Sequence, residues 1–485
     1  MNTLNTVPNT NLVRNLRLIA AVFFLAAVAR SGWAASALNI IHHFNAPVDG
    51  AAPEAGLTWG TNGYFYGTTL GGPGSGAGSV FSLTPSGTLT TIYTFGGVAD
   101  GNLIYAGATL DNSTSNLVVA AAGGGTNNDG AIVWLHRDFP NTWSLFLKQS
   151  FAGTNGNDPL ATMTLGDALY GTTYQGGAYS NGTVFRMTGA GVIDKLYDFT
   201  GGSDGRSPSG TLVRGSAFHT YYGTTQFGGI SNNGTVFRIQ QGSHPNDPWQ
   251  LLTLIAFTGG DGSVPRGGLV LGTDGNLYGT TSLGGEYDEG TIFQLNPTNG
   301  VLVRMHSFNR NAAGFEGYQP RATLIQGTDG NFYGATPYGG AYDFGTIFQV
   351  STPGVGGTSA FNTLYQFSGG TNGYLPFGAL VEGRFGMLYG TTYGGGIYNN
   401  GTVFTLFVPS LTNAPSGQLT IQTNTAGLCF MSAAGSSYQL QYGDTSTGPW
   451  TSAGDPVQSN GGRLCLQDPQ PTTMPQRYYR VLIIP

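Results

Sequence analysis

The stretch that decides the fold is LYGTTYGGGIYNNGTVF, residues 388–404. Two short runs of β-forming residues, one around Tyr389 and one ending at Phe404, flank a loop rich in Gly and Asn. Gly-Gly and Asn-Gly pairs between such runs are typical of hairpin connections. The stretch therefore predicts two antiparallel strands joined by a turn-rich loop.

The same phrase recurs along the chain. Its copies occupy residues 65–81, 117–133, 169–185, 221–237, 277–293, 332–348 and 388–404. The position of Tyr389 thus recurs at 66, 118, 170, 222, 278, 333 and 389. The second copy is degenerate, because Val-Val-Ala-Ala replaces Tyr-Gly-Thr-Thr. Regular self-similarity of this kind indicates a repeat architecture.

Each repeat has room for four short strands. One precedes the phrase, as in Gly267–Gly272, two form the phrase itself, and a fourth ends in Phe, as in Leu302–Phe308. Seven such repeats predict an all-β fold, a seven-bladed β-propeller over residues 38–407. The last repeat lacks a fourth strand, and Leu38–Phe44 has no repeat of its own. We therefore expect Leu38–Phe44 to close the ring as the outer strand of the last blade, with Leu38, Ile40 and Phe44 on one face.

The amino-acid composition fits this fold and argues against two classes of partner. Gly accounts for 81 of 485 residues, and charged residues make up only 9% of the chain, against about 25% in typical domains. Aromatic residues at 12% supply material for a packed core. There are two Lys, Lys148 and Lys195, no basic run, and a net charge of −6. This balance argues against a nucleic-acid partner or an anionic membrane surface.

The two ends of the sequence differ from the repeats. Residues 1–37 resemble a secretory signal peptide, with Arg14 and Arg17 before the apolar run Leu18–Ala29. Residues 408–417 predict a linker, and 418–485 predict a small C-terminal β-sandwich-like module. We expect a secreted, extracellular or cell-surface protein without a transmembrane span after signal cleavage. In that compartment Cys429 and Cys465 would form a disulfide, the alternative being two buried thiols.

The repeats also resemble a known family. The run Gly268–Phe293, with its Asp-Gly-Asn-Leu-Tyr-Gly-Thr-Thr core, is similar to the GloVer tandem repeat of bacterial extracellular proteins, often called choice-of-anchor proteins. The resemblance covers about residues 38–408. It implies an exported bacterial repeat protein and carries no established activity.

Few residues indicate chemistry. No nucleotide-phosphate, zinc-protease or calcium-loop motif occurs, so we expect neither a cofactor nor a metal. His42 and His43 could form a metal pair, but His42 and His306 align with Tyr93, Tyr197 and Tyr365 of other repeats. We therefore interpret His42 and His306 as packing residues of aromatic size.

Three classes of function remain open. The sequence favours a binding or interaction module, with an extracellular polysaccharide or a surface protein as partner. The alternatives are a structural surface or matrix component and a polysaccharide hydrolase or lyase, because propellers host many functions. A role without catalysis is the expected one.

The loops locate the expected ligand site. In an up-down blade, the loop between the second and third strands and the loop to the next blade open on one face, and binding residues concentrate on such loops. Twelve acids fall in or beside them: Asp49, Glu54, Asp100, Asp129, Asp158, Asp204, Asp261, Glu286, Asp288, Glu289, Glu316 and Asp343. This charge predicts a neutral or cationic ligand. The candidate ligand-binding residues are Tyr179, Tyr287, Asp288, Glu289, Glu316, Tyr342 and Tyr398. For the four Tyr, packing between blades is the alternative.

Overall fold

The repeated phrase forms a hairpin whose glycine and phenylalanine share one space. In the computed structural model, Gly390 lies opposite Phe404 in the strand register. A Cβ atom on Gly390 would lie 2.4 Å from the Phe404 ring, so a larger residue would collide with that ring. The same Gly–Phe pair occurs in five other repeats, at 67 and 81, 171 and 185, 223 and 237, 279 and 293, and 334 and 348.

The structure describes most of the chain from Leu38 onward. The described residues are 38–74, 76–111, 116–138, 142–242, 244, 247–312, 314–353, 359–383, 386–411, 418–422, 425–432, 437–443, 451–452, 455–458, 462–467 and 478–484. The predicted signal peptide, 1–37, therefore lies outside the described residues.

Within these residues, seven four-stranded antiparallel sheets form the blades. Blade 1 contains β2 (Thr58–Trp59), β3 (Phe65–Thr69), β4 (Ser79–Leu83) and β5 (Leu89–Thr94). Blade 2 contains β6 (Thr109–Asp111), β7 (Asn116–Ala121), β8 (Ala131–Asp138) and β9 (Thr142–Ser150). Blade 3 contains β10 (Thr164–Leu165), β11 (Leu169–Thr173), β12 (Thr183–Met187) and β13 (Ile193–Asp198). Blade 4 contains β14 (Val213–Arg214), β15 (Thr220–Thr225), β16 (Thr235–Gln241) and β17 (Trp249–Ala256).

The remaining three blades follow the same order, with one substitution at the end. Blade 5 contains β18 (Val270–Leu271), β19 (Leu277–Thr281), β20 (Thr291–Leu295) and β21 (Leu302–Ser307). Blade 6 contains β23 (Ile325–Gln326), β24 (Phe332–Thr336), β26 (Thr346–Val350) and β27 (Phe361–Gln366). A small pair, β22 (Gly317–Tyr318) and β25 (Tyr338–Gly339), stands beside it. Blade 7 contains β28 (Val381–Glu382), β29 (Met387–Thr392), β30 (Thr402–Phe407) and β1 (Leu38–His43).

The ring closes as the sequence predicted, because β1 pairs with β30 and completes blade 7. One detail of that prediction is wrong. A β-bulge between Ile40 and His42 shifts the register, so Leu38 and Ile40 pack toward blade 6 while Ile41 and Phe44 pack toward blade 1. The strand therefore contributes apolar side chains to both of its interfaces.

The first strand of each blade is shorter than predicted. In blade 5 it covers only Val270–Leu271, although Gly267–Gly272 was expected. Gly267 and Gly268 instead contact neighbouring blades: a Cβ atom on Gly267 would lie 2.7 Å from the Ala322 carbonyl oxygen. The first strands thus lie closest to one another, around the axis, and the half-exposed fourth strands form the outer edges.

The core is divided among the blade interfaces. The described residues contain seven clusters of buried apolar side chains, and each cluster lies between two neighbouring blades. Val408 and Leu411, at the start of the predicted linker, are buried in the cluster between blades 6 and 7. Two 3₁₀ turns, Gly370–Asn372 and Pro409–Leu411, complete the assigned elements of the propeller.

The C-terminal residues form a second compact unit. One sheet contains β31 (Gln418–Gln422), β32 (Thr425–Ser432) and β36 (Gly462–Gln467), and the other contains β33 (Ser437–Gly443), β34 (Thr451–Ser452), β35 (Val457–Gln458) and β37 (Tyr478–Ile484). The backbone register places Cys429 directly opposite Cys465. Their side chains lie outside the described part, and the disulfide stays a prediction.

Candidate functional site

The loop face is held together by an unusual backbone conformation at every blade junction. A residue with φ between 54° and 56° stands just before the first strand of each blade: Ala52, Leu103, Asp158, Ser207, Val264, Gln319 and Leu375. None of these is Gly, and such conformations cost about 1–3 kcal/mol each and persist only where the surrounding structure imposes them. The surroundings do so here, because these residues link neighbouring loops.

Val264 shows how the link works. Its N–H donates to the Asn233 carbonyl of blade 4 at 2.9 Å, and its own carbonyl accepts from Ser282 N–H of blade 5 at 3.0 Å. The next residue, Pro265, packs on Gly234, where a Cβ atom would lie 2.7 Å from the proline Cδ. The glycine of the Asn-Gly-Thr phrase is therefore required by the following blade, and each junction holds its loops rigidly.

The four candidate Tyr point into solvent on this face. Tyr179, Tyr287, Tyr342 and Tyr398 are between 48% and 61% exposed. Packing between blades, the alternative interpretation, would have buried them. Their ring faces are accessible, but each lies on a different blade, so the structure does not bring the four into one cluster.

Asp288 has a structural task. Its φ is 58°, and its carboxylate accepts a hydrogen bond from Gly284 N–H at 2.9 Å. Asn232, Asp343 and Asn399 close their own loops in the same way. Asp288 is thus a member of a repeated set that fixes loop shape, a feature visible in the alignment of repeats.

Glu289 is specific to blade 5. Its side chain is 8% exposed, one carboxylate oxygen accepts from Arg310 Nε, and the other has no partner among the described residues. The Arg310 guanidinium also lies 4.6 Å from the centre of the Tyr318 ring. These contacts anchor the long loop between blades 5 and 6.

Tyr287 and Glu316 line one groove beside this anchored loop. The groove has a cavity volume of about 400 Å³, with Arg304, His306 and Asn309 along its wall. The Glu316 carboxylate lies 3.0 Å from His306 Nε2, within hydrogen-bond and ion-pair distance. A hydrogen bond to Glu286 raises the pKa of Tyr287. Of the predicted residues, the structure therefore unites Tyr287 and Glu316 in a polar groove and places Glu289 behind it.

Several of the other loop acids already accept hydrogen bonds within the protein, so they are less available to a ligand than their number suggests. Asp49, Asp100 and Asp204 accept hydrogen bonds from backbone N–H groups of their own loops and from side chains of the preceding fourth strand. His42 and His306 lie edge-to-face on Phe44 and Phe308 at about 5 Å, as Tyr93 does on Phe95. The structure thus supports the packing interpretation of both histidines. No group of three or more metal-binding side chains occurs among the described residues.

The centre of the face holds a second set of residues, of which the sequence pointed only to Glu54, as one of the loop acids. One half-buried residue of each blade stands two positions after the positive-φ residue and next to the axis, and we call this set the axial mouth. Its members are Glu54, Tyr105, Leu160, Ser209, Arg266, Arg321 and Phe377. The signal in the sequence was a position that holds six different residue types in seven repeats, while the residues around it recur.

Sequence comparison identifies the repeat. A family model described as the Gloeobacter/Verrucomicrobia repeat matches residues 108–247 and 243–448, together more than half of the chain. No curated protein sequence matches the chain. The described residues contain no helix that is long and apolar enough to cross a membrane.

Solved structures resemble the chain only distantly. A protein of Bacteroides uniformis described as a 6-phosphogluconolactonase is 14% identical, with a TM-score of 0.48 over 85% of this chain and 99% of that one. A gluconolactonase of Xanthomonas campestris is 13% identical, with a TM-score of 0.39 over 61% and 85%. The extracellular domain of a one-component system of B. thetaiotaomicron is 11% identical, with a TM-score of 0.46 over 92% and 58%. No activity is transferred from them.

Proposed function

The chain belongs to the Gloeobacter/Verrucomicrobia repeat family, and on that premise we propose that it is a secreted or cell-surface module that binds a polysaccharide on its loop face. The observation that carries the proposal is the groove in which Tyr287 and Glu316 meet. A tyrosine ring face packs on the apolar face of a sugar, and a carboxylate accepts hydrogen bonds from sugar hydroxyls.

The groove suits a neutral or cationic glycan. Glu286 and Glu316 both line it, whereas the Arg304 guanidinium is engaged by the Gly260 carbonyl at 2.6 Å. Because the loops are held at each junction, little ordering is required when a ligand binds, and rigid sites lose less conformational entropy. Exposed Tyr342 on the next blade extends the surface along which a long chain would lie.

The test is a glycan array probed with the secreted chain, followed by titration of each positive glycan. We expect Tyr287→Ala combined with Glu316→Gln to weaken binding at least tenfold, while Tyr64→Ala leaves it unchanged. Tyr64 is a matched control because it is also a partly exposed tyrosine but belongs to the β2–β3 turn, on the opposite face. Thermal unfolding of each variant checks folding.

Two results would overturn the proposal. Unchanged affinity of the folded double variant would remove the groove as the site. An array without any bound glycan would favour the structural surface or matrix role.

A further inference from the structure

The axial mouth contains two arginines, Arg266 and Arg321, on neighbouring blades, and among the described residues neither forms a salt bridge. Gly267 follows Arg266 and Ala322 follows Arg321, and these two following residues are in backbone contact across the junction of blades 5 and 6. Burial and then the charge on Arg321 lower the pKa of Arg266. The proximity of two guanidinium groups is therefore unfavourable in the unliganded protein.

Both arginines also carry an unused donor. Within the described residues, Nε of Arg266 and Nε of Arg321 are buried and have no hydrogen-bond partner. A buried donor without a partner costs about 1–3 kcal/mol. An anion beside the two guanidinium groups would supply an acceptor for their N–H groups and relieve the repulsion between the two charges.

Aromatic rings orient Arg321 without neutralising it. Its guanidinium carbon lies 5.6 Å from the centre of the Tyr338 ring and 5.3 Å from that of Phe377. Phe377 in turn packs edge-to-face on Tyr393, with ring centres 5.7 Å apart. The positive side of the mouth is thus bordered by ring surfaces on which the apolar face of a sugar can pack.

The opposite side of the mouth is acidic and phenolic. Burial raises the pKa of Glu54, and the charge on Arg321 opposes that rise. Burial and the nearby Glu54 also raise the pKa of Tyr105. Arg266 and Arg321 therefore face groups that accept and donate hydrogen bonds, as sugar hydroxyls require.

We propose that the axial mouth binds a uronic acid, with Arg266 and Arg321 holding its carboxylate and the Glu54 and Tyr105 side receiving its hydroxyls. Guanidinium groups suit this role because their planar N–H pairs match a carboxylate in a bidentate arrangement. This site is separate from the blade 5 groove and does not rest on the function proposed for it.

The probes are D-glucuronate, D-glucose, acetate and inorganic phosphate, titrated by calorimetry into the full chain. We expect glucuronate to bind with a stoichiometry of one and glucose, acetate and phosphate to bind at least tenfold more weakly. Glucose lacks the carboxylate, acetate lacks the ring, and phosphate lacks both the ring and the planar geometry. Glucose binding as tightly as glucuronate, or no glucuronate binding, would refute the proposal.

Four variants decide whether the two arginines of the axial mouth are responsible. Arg266→Gln and Arg321→Gln should each weaken glucuronate binding at least tenfold, whereas Arg214→Gln, which makes the same change in net charge at an exposed residue of blade 4, should not. Arg321→Lys keeps the charge but loses the planar donor pair, and it should still weaken binding several-fold. Unchanged affinity for glucuronate in both Arg266→Gln and Arg321→Gln would overturn the proposal. So would phosphate binding that equals glucuronate binding, since the mouth would then be a general anion site.

Discussion

Blades 2 and 5 have the same four-stranded sheet but fill its interior with different residues. In blade 5, Leu269 and Phe293 enclose Gly279, where a Cβ atom would lie 2.8 Å from the Leu side chain and 2.7 Å from the Phe ring. The aligned residues of blade 2 are Ala108, Val133 and Val119, which lie in one buried cluster.

The differences between the interiors of blades 2 and 5 compensate one another. A larger residue at the glycine position accompanies smaller residues at both neighbouring positions, so the total volume is nearly kept, as cores tolerate best. The hydroxyl pair Thr281–Thr291, 2.8 Å apart, likewise has the counterpart Ala121 opposite Ala131. Each repeat therefore fills the same space and leaves no hydroxyl of this pair without its partner, and the phrase Tyr-Gly-Thr-Thr is one way to do so.

The largest expected loss of stability follows when blade 7 loses a whole strand but keeps its copy of the repeated phrase. A chain beginning at Asn45 lacks β1, although blade 7 retains its Gly390–Phe404 pair. Fully buried Leu, Ile and Phe side chains contribute about 1.5–3 kcal/mol each, and the removed segment holds four apolar residues: buried Phe44 and the partly buried Leu38, Ile40 and Ile41. The loss rivals a total stability of about 5–15 kcal/mol.

We expect that shortened chain to unfold at a much lower temperature than one beginning at Leu38. Differential scanning calorimetry measures the difference. Equal melting temperatures would mean that the outer strand of blade 7 does not hold the ring closed.

The next prediction tests the shared volume directly. Gly279→Val should cost about 1–3 kcal/mol, because the added atoms overlap the Phe293 ring. The triple change Gly279→Val, Phe293→Val and Leu269→Ala reproduces blade 2 and should recover much of that loss. Urea unfolding of the single and triple variants measures both free energies. A triple variant less stable than Gly279→Val would show that blade 2 relies on something other than volume.

The repetition made the fold predictable from the sequence, whereas features that depart from the repeat could not be predicted. The spacing of the phrase sufficed for the blade count, the strand order and the ring closure by β1, since each copy must bury the same faces. It could not reveal the bulge at Ile41, which moves Phe44 to the other interface. Such a bulge depends on the twist of the completed sheet.

The site was partly predictable for the same reason. Tyr287 and Glu316 could be placed on one face from loop order, but their shared groove depends on how the loop between blades 5 and 6 is anchored by Glu289 and Arg310. Asp288 looked like a specific residue in sequence and proved to close its own loop. The adjacency of Arg266 and Arg321 is invisible in the sequence, because 54 residues separate them within otherwise similar repeats.

A smaller effect is expected from the hydroxyl pair. Thr281→Ala and Thr291→Ala should each cost roughly 1 kcal/mol, because each leaves a buried polar partner with one bond fewer. The double variant, which copies Ala121 and Ala131, should cost less than the sum by about 0.5–1 kcal/mol. Urea unfolding in a double-mutant cycle gives the coupling energy. Strict additivity would mean that the two hydroxyls do not act as a pair.

The smallest effect concerns the turn of blade 5 and its dependence on pH. Asp274 accepts hydrogen bonds from Tyr278 Oη at 2.8 Å and from the Asn276 side chain at 2.7 Å. Partial burial acts to raise the pKa of Asp274, but these hydrogen bonds outweigh it, and the pKa is lowered overall. Blade 2 has Val118 where blade 5 has Tyr278, so it lacks this donor.

Tyr278→Phe should therefore lower stability at neutral pH by up to about 1 kcal/mol, the net value of one partly buried hydrogen bond. A carboxyl whose folded pKa lies below its unfolded value, about 3.9, stabilises the protein above that value and ceases to do so as the pH falls through the folded pKa. The difference in stability between parent and variant should thus be full at pH 7 and shrink below pH 4.

Tyr66→Phe is the matched control, because the Tyr66 hydroxyl accepts a hydrogen bond from Asn62 rather than donating one to a carboxylate. Urea unfolding at pH 7 and pH 3 should give a pH-independent difference for Tyr66→Phe and a shrinking one for Tyr278→Phe. Equal behaviour of the two variants would contradict the assignment of the Asp274–Tyr278 bond as the source of the pH dependence.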